Sequence, residues 1–379
     1  MKRIFAILFA IVILAGAFVA LQKSELFVNL FDGIPETVEE YDPEAYYYKN
    51  LSSDTSKKAY NMIMGDIFTF PEKILIPSLS DPELDEVYEA ILYDNPRLFF
   101  LESTCHTQMS GSKNYFYPEY SLEGAEYLTQ FAALEKAEDK IVSKAPRGDE
   151  FETELYLHNA VLKTCVYSEG VSDETSSPYS CLVEKKASCE GYAKAMKRLL
   201  EKCGIECFLA VGQVDDGEGS TEGHMWDIVK INGKYYHLDP TWDDNNNDDL
   251  RPSYTYFNDN DSLISKTHVV TDRYAGICTS LDDNYYRKTN AFFTSYDGAV
   301  RNKISGMLSR NADSGSDLVT FMFKNEDDYK NAKQDLFDNE KIYRLLDRAD
   351  LATDKKLVTD RVYFWNDDKF FVINIFNYF

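Results

Sequence analysis

Apolar positions follow several distinct rhythms along the 379-residue chain. Residues 4–21 are continuously apolar, with Lys2 and Arg3 before them and Gln22-Lys23-Ser24-Glu25 after. Together with the small residues Ala15-Gly16-Ala17, this is the layout of a secretory signal, and about 18 apolar residues also suffice for one N-terminal membrane anchor. A buried helix of a soluble domain is the alternative, weakened by the terminal position and the lack of a polar face. No Cys lies near the end of the run, which excludes a lipoprotein anchor. The rest of the chain is therefore expected to be extracytoplasmic, either secreted or anchored to the outer face of the cytoplasmic membrane.

After an acidic spacer (22–45), residues 46–145 read as helical. Tyr60, Ile63, Met64 and Ile67 recur at spacings of three and four, as do Val87, Ile91 and Leu92. Asp94-Asn95-Pro96 breaks the pattern, and 122–142 supplies another amphipathic helix. A second unit, 146–250, opens with a helix at 152–165 and a Ser/Asp-rich loop at 168–177. The last unit, 251–379, reads strand (318–323), helix (326–337), strand (362–365) and strand (370–376), the final pair turning at Asn366-Asp367-Asp368. No internal repeat is visible.

One helix in the second unit carries candidate chemistry. Tyr192, Met196, Leu199, Leu200 and Cys203 mark its apolar face, Gly204 ends it, and Ser188 is placed to cap its start. Cys189 then occupies the first turn, where unpaired N–H groups and the helix dipole favour a thiolate, the reactive form of cysteine. A small buried hydrophobe is the competing reading of the same residue.

Downstream, 223–231 reads as a strand, Asn232-Gly233 as a tight hairpin turn and 234–239 as the returning strand. A two-residue turn makes paired positions sum to 465, so Trp226 faces Asp239. His224 then shares Asp239's face on the diagonal, with Cβ atoms roughly 7 Å apart. A slip of one residue would separate them. His237 has the same parity and competes for the role of the catalytic imidazole.

Composition narrows the possibilities. With 64 acidic and 40 basic residues, the net charge of −24 argues against a phosphate-binding groove, so no nucleic acid is expected. The chain has 27 Tyr and 24 Phe, which we read as core filling rather than as carbohydrate platforms. Seven Cys (105, 165, 181, 189, 203, 207 and 278) are an odd number for an exported chain. Three disulfides or buried thiols are both open for the other six. Cys203-x-x-x-Cys207 lacks the second pair of a zinc clip. The Asp-rich stretches 215–219 and 243–249 read as solvated loops, the second lacking the Gly and Glu of a calcium loop. No metal or cofactor is expected.

The blocks ASCEGYAKAMKRLLEKCGIECF, GHMWDIVKINGKYYHLDPTWDD and YSCLVEKKASCEGYA resemble the transglutaminase-like superfamily, in particular its exported bacterial members, from about residue 155 to 250. The resemblance implies an α+β fold: a papain-like core with a helix packed on an antiparallel sheet, a helical N-terminal region and a small α+β C-terminal domain. It assigns Cys189 as nucleophile, His224 as base and acid and Asp239 as the residue that orients the imidazole. Tyr179, Tyr192, Trp226 and Trp242 are expected to line the site. The oxyanion donor is open between the Cys189 N–H and a side chain near Tyr179. Ser188 and Asp227 depart from the family's frequent valine and asparagine, and Asp227 is expected to add negative charge nearby. The calcium ligands of the large animal enzymes have no counterparts. Acyl transfer on peptide amides is implied, with protein or peptide substrates of the cell envelope or exterior. A peptidase using the same triad and a non-catalytic surface scaffold are the rival readings.

Overall fold

A computed structural model describes residues 42–170, 174–215, 221–244 and 252–379. The signal-like run, nearly all of the acidic spacer and most of the Asp-rich stretches lie outside the described residues. Among those described, no helix is long and apolar enough to cross a membrane. Contacts divide the chain into two units: residues up to Ile91 with Thr104–Glu119, and Leu92–Ser103 with Tyr120–Phe379.

In the first unit, helix α1 (Asp54–Asp66) is capped by the Ser53 hydroxyl, which accepts the Ser56 N–H at 3.0 Å. It buries Tyr60, Ile63 and Met64, the face its spacing predicts. Helix α2 (Asp81–Asp94) buries Val87 and Ile91 in the same way and stops before Asn95-Pro96. The helical rhythm does not announce the three-stranded sheet of this region, with β1 (Ile74–Ile76), β2 (Leu101–Ser110) and β3 (Lys113–Tyr120) in the order β1-β3-β2. Strand β2 buries only Leu101, so no apolar alternation marks it, and the turn depends on Gly111 at φ 65°.

The second unit opens with α3 (Gly124–Val142) and α4 (Glu150–Thr164), close to the expected bounds. Two short parallel strands, β4 (Val166–Tyr167) and β5 (Lys186–Ala187), flank a π-helical turn at Ser180–Glu184. Helix α5 (Cys189–Lys202) follows, with Gly204 just past its end at φ 79°. It buries Tyr192, Met196, Leu199 and Leu200 in one cluster with Val229, Ile231 and Tyr236 of the adjoining sheet. That antiparallel sheet has the order β10-β6-β7-β8-β9. Its strands are β6 (Cys207–Asp215), β7 (Thr221–Ile231), β8 (Lys234–Leu238), β9 (Phe257–Asp259) and β10 (His268–Val269).

A second sheet, β11-β12-β14-β13, is built from β11 (Phe292–Phe293), β12 (Leu318–Phe323), β13 (Tyr363–Asp367) and β14 (Val372–Phe376). Helix α6 (Gly298–Ser314) packs Ile304 and Leu308 against Val319, Phe321, Ile373 and Ile375. Helix α7 (Glu326–Lys333) and helix α8 (Lys341–Asp350) complete the chain's α+β architecture. The helix read at 326–337 is thus α7 continued by a π-helical turn, Gln334–Asp338. All seven cysteines are free thiols. Cys207 is not a zinc ligand waiting for Cys203: it is buried, and its thiol donates to Asp227 Oδ1 at 3.3 Å.

Candidate active site

Local rules place two of the three expected residues. Asn232 and Gly233 both have positive φ (50° and 79°), the requirement of the tight hairpin turn. The register that follows pairs Asp227 with Leu238 and Ile228 with His237. Asp239 continues this ladder as the N-cap of a helical turn, Pro240–Asp243, with Pro240 in its first position. Its Oδ1 accepts the Thr241 and Trp242 N–H groups at 2.9 and 3.1 Å. The carboxylate is therefore pinned by its own backbone, with Oδ2 turned to the imidazole. His224 Nε2 donates to Oδ2 at 2.7 Å, and both side chains are buried. That leaves His224 Nδ1 free to face the Cys189 thiol, which lies near enough to act on the charge of the ring. Cysteine, histidine and aspartate are thus electrostatically linked through the imidazole.

Ser188 occupies the N-cap of α5, but its hydroxyl donates to the Thr175 carbonyl at 3.3 Å instead of accepting a helix N–H. Its own N–H reaches the same carbonyl at 3.0 Å. Ser188 therefore ties the 175–177 segment to the start of the helix and leaves the first-turn N–H groups to other acceptors. Gly191 allows that closeness: a Cβ there would lie 2.6 Å from Thr175 O and 2.7 Å from Ala187 Cβ.

Electrostatics fit the geometry. Burial by itself would lower the His224 pKa. The charge and hydrogen bond of Asp239, with a smaller share from Cys189, raise it to about 10. His224 is therefore an imidazolium at neutral pH. Burial opposes ionisation of Asp239, yet His224 and His268 together hold its carboxyl well below the usual range.

Four aromatic residues were expected to line the site, and they divide. Trp226 is fully buried and stacks on the His224 ring at 6.1 Å, while Trp242 meets that ring edge-on at 6.1 Å. Tyr192 is instead a core residue whose hydroxyl donates to Asp244, and Tyr179 stacks on Phe99 at 6.3 Å. Both lie on or before α5 close in sequence to Cys189, but core packing claims their rings. His237 is no rival to His224. Its Nδ1 accepts the Trp226 indole N–H at 3.0 Å and its Nε2 donates to Asp261 at 2.9 Å, and burial lowers its pKa. Asp227 has the opposite strand parity from His224, and burial pushes its carboxyl well above the usual range, against the charge expected of it.

The residue pattern did not reveal two other members of the site. His268, on β10, donates Nε2–H to the same Asp239 Oδ2 at 2.9 Å. Tyr167 pairs with Ala187 across β4 and β5, two residues before Cys189, and lies within electrostatic range of that thiol. Burial raises its pKa, so its hydroxyl stays protonated. A two-residue strand leaves no periodic signal by which either could be found. A cleft of about 140 Å³, lined in part by Leu92, Phe99, Ser177, Glu190 and Lys194, lies along α5 from Glu190, the residue after Cys189.

Among the described residues, two groups of side chains have metal-ligand chemistry: His224, Asp239 and His268, and His237, Asp261 and Cys278. In the first, both imidazoles already direct N–H groups at one carboxylate oxygen, at 2.7 and 2.9 Å. In the second, the Trp226 donation to His237 Nδ1 places the ring proton on Nε2, the atom a metal would need. Hydrogen bonding accounts for both clusters.

The site thus has a thiol at a helix start and an imidazole and carboxylate carried by one antiparallel hairpin. Residues 138–240 match the model of the transglutaminase-like superfamily. Three solved structures are similar to it. One described as a TGase matches at 13% identity and a TM-score of 0.28, over 48% of this chain and 53% of its own. A candidate cysteine protease from Cytophaga hutchinsonii matches at 12% identity and a TM-score of 0.25, over 37% and 62%. A candidate protease from Parabacteroides distasonis matches at 11% identity and a TM-score of 0.22, over 36% and 35%. The chain spans between about one third and just under two thirds of the length of these relatives. No curated protein matches it.

Proposed function

We propose that the protein is an exported, cysteine-dependent acyltransferase acting on peptide amides, with Cys189 as nucleophile, His224 as acid and base and Asp239 as the group that orients the imidazole. The observation that carries this reading is the His224 ring, held between the Cys189 thiol and the Asp239 carboxylate. The Cys189 sulfur attacks the amide carbonyl and forms a C–S bond, and the carbonyl electron pair moves to oxygen. We assign the Cys189 N–H, at the start of α5, as a donor to that oxygen. Collapse breaks the C–N bond, His224 Nδ1–H protonates the departing amine, and a thioester remains. An incoming nucleophile then gives its proton to His224 and releases the sulfur.

Exposed Glu169 and Glu222 lie around Tyr167. Their negative field attracts a primary amine in its ammonium form, which sheds one proton to solvent before it attacks, and so favours cross-linking over hydrolysis. The cleft beside Glu190 suits the side chain that carries the amide. Export, by cleaved signal or single anchor, rests on the apolar run at 4–21 and the charged residues bracketing it.

Mass spectrometry of a protein mixture incubated with a labelled primary amine, wild type against Cys189→Ala, tests the proposal. Cys189-dependent incorporation of the amine with loss of ammonia is expected. A one-dalton shift would mark deamidation and chain cleavage a peptidase. A wild type indistinguishable from Cys189→Ala would refute the enzymatic reading.

A further inference from the structure

We infer that His268 is a positioning residue of this site: it grips the Asp239 carboxylate opposite His224, so that one buried oxygen serves two imidazoles. The inference deepens the reading of Cys189, His224 and Asp239 as a reactive unit and rests on it. Asp239 is fully buried and accepts four N–H groups, two on each oxygen. The backbone fixes Oδ1, but Oδ2 would hold only His224 if His268 were absent. A buried carboxylate with an unmet lone pair is free to tilt toward other donors, and His224 would tilt with it.

The His268 ring is itself set. Thr267 Oγ1 lies 2.9 Å from Nδ1, and since Nε2 donates to the carboxylate, the hydroxyl donates to Nδ1. Burial keeps the ring neutral, its pKa lying below the ordinary value although Asp239 pulls it upward. A neutral donor is what the site needs. The His224 imidazolium already balances Asp239, and a second cation, its ring centre 5.4 Å from that of His224, would repel it.

Three aromatic rings, Trp226, Trp242 and Tyr256, stand 5.0 to 5.6 Å from the His268 ring, leaving little room for water to replace its hydrogen bond. Strand β10 reaches this position by pairing His268 with Val214 of β6. Gly212 permits the approach, since a Cβ there would lie 2.6 Å from Val269 O and 2.9 Å from the Trp226 ring.

The test compares His268→Phe, which keeps ring and volume but removes the donor, with His268→Gln, whose amide reaches about as far as Nε2. Two readouts are taken: the rate of Cys189 alkylation by iodoacetamide, which needs no substrate, and kcat and KM for amine incorporation. His268→Phe is expected to slow alkylation and lower kcat about tenfold with KM within about twofold, and His268→Gln to stay within about threefold of wild type. Should His268→Phe fail to fold, Thr267→Val against Thr267→Ser asks the same question, the valine alone losing the hydroxyl that sets the ring. Equal behaviour of the paired variants overturns the inference, because packing alone would then explain the residue. If wild type shows no turnover but alkylation still separates Phe from Gln, the proposed reaction fails and the positioning role stands.

Discussion

Replacing Asp239 with asparagine removes one charge and almost no volume, and the structure gives the size of the effect. The His224 pKa stands at about 10, against 6.5 for an unperturbed imidazole, and Asp239 is the largest upward influence on it. A difference of about 3 to 4 units is about 4–5 kcal/mol favouring the imidazolium, at about 1.4 kcal/mol per unit. The amide also misplaces its hydrogens. With Nδ2 toward the histidines, His224 must present a bare Nε2 and carry its proton on Nδ1, the atom that must take a proton from the thiol. With Nδ2 reversed, it meets the Thr241 and Trp242 N–H groups donor to donor. The first arrangement should cost at least about a thousandfold in kcat, because the wrong tautomer disables the base; the second forfeits the backbone bonds that seat the side chain, which disfavours it. NMR titration of the His224 ring reads the electrostatic part directly: a transition near pH 10 in wild type, moved to about 6.5 or below in Asp239→Asn. If the variant still titrates near 10, or keeps kcat within tenfold, the coupling argued here is wrong.

Three further outcomes follow from the same geometry. Stability should peak at mildly acid pH. The raised His224 pKa contributes fully below about 6.5 and is lost as pH climbs toward 10, while the depressed Asp239 pKa contributes above about 3.8 and is lost below it. Glu154, Asp227 and Asp259, all held high by burial, cost stability as pH rises above about 4 and so add to the decline, and a melting temperature that rises from pH 6 to 9 would contradict this. Gly191→Ala should lose about 1–3 kcal/mol in chemical denaturation and disturb Cys189 alkylation, because its Cβ would overlap the Thr175 carbonyl. Asp227→Asn should leave kcat within about twofold and raise stability at pH 8, since it replaces a buried acid that resists ionisation; a tenfold loss of activity would show that its charge matters.

Much of the site is set within short stretches of chain. An Asn-Gly turn fixes the hairpin register, and the register puts His224 on the face of Asp239. The Asp-Pro step makes Asp239 a cap, which pins one of its oxygens. The apolar stripe from Tyr192 to Leu200 and the Gly204 stop delimit the helix that begins at Cys189. Each of these follows from interactions between residues a few positions apart, which is why the linear pattern reveals them.

Tertiary structure decided the rest. His268 lies 29 residues beyond Asp239 on a two-residue strand, too short for any alternation to mark it, and only its pairing with β6 brings it in. Tyr167 arrives through an equally short parallel pair. Charge states were also beyond the linear pattern: Asp227 is carried as an acid by its burial, and His224 as a cation by a buried neighbour. Desolvation depends on everything packed around a group, and that sum exists only once distant segments have met.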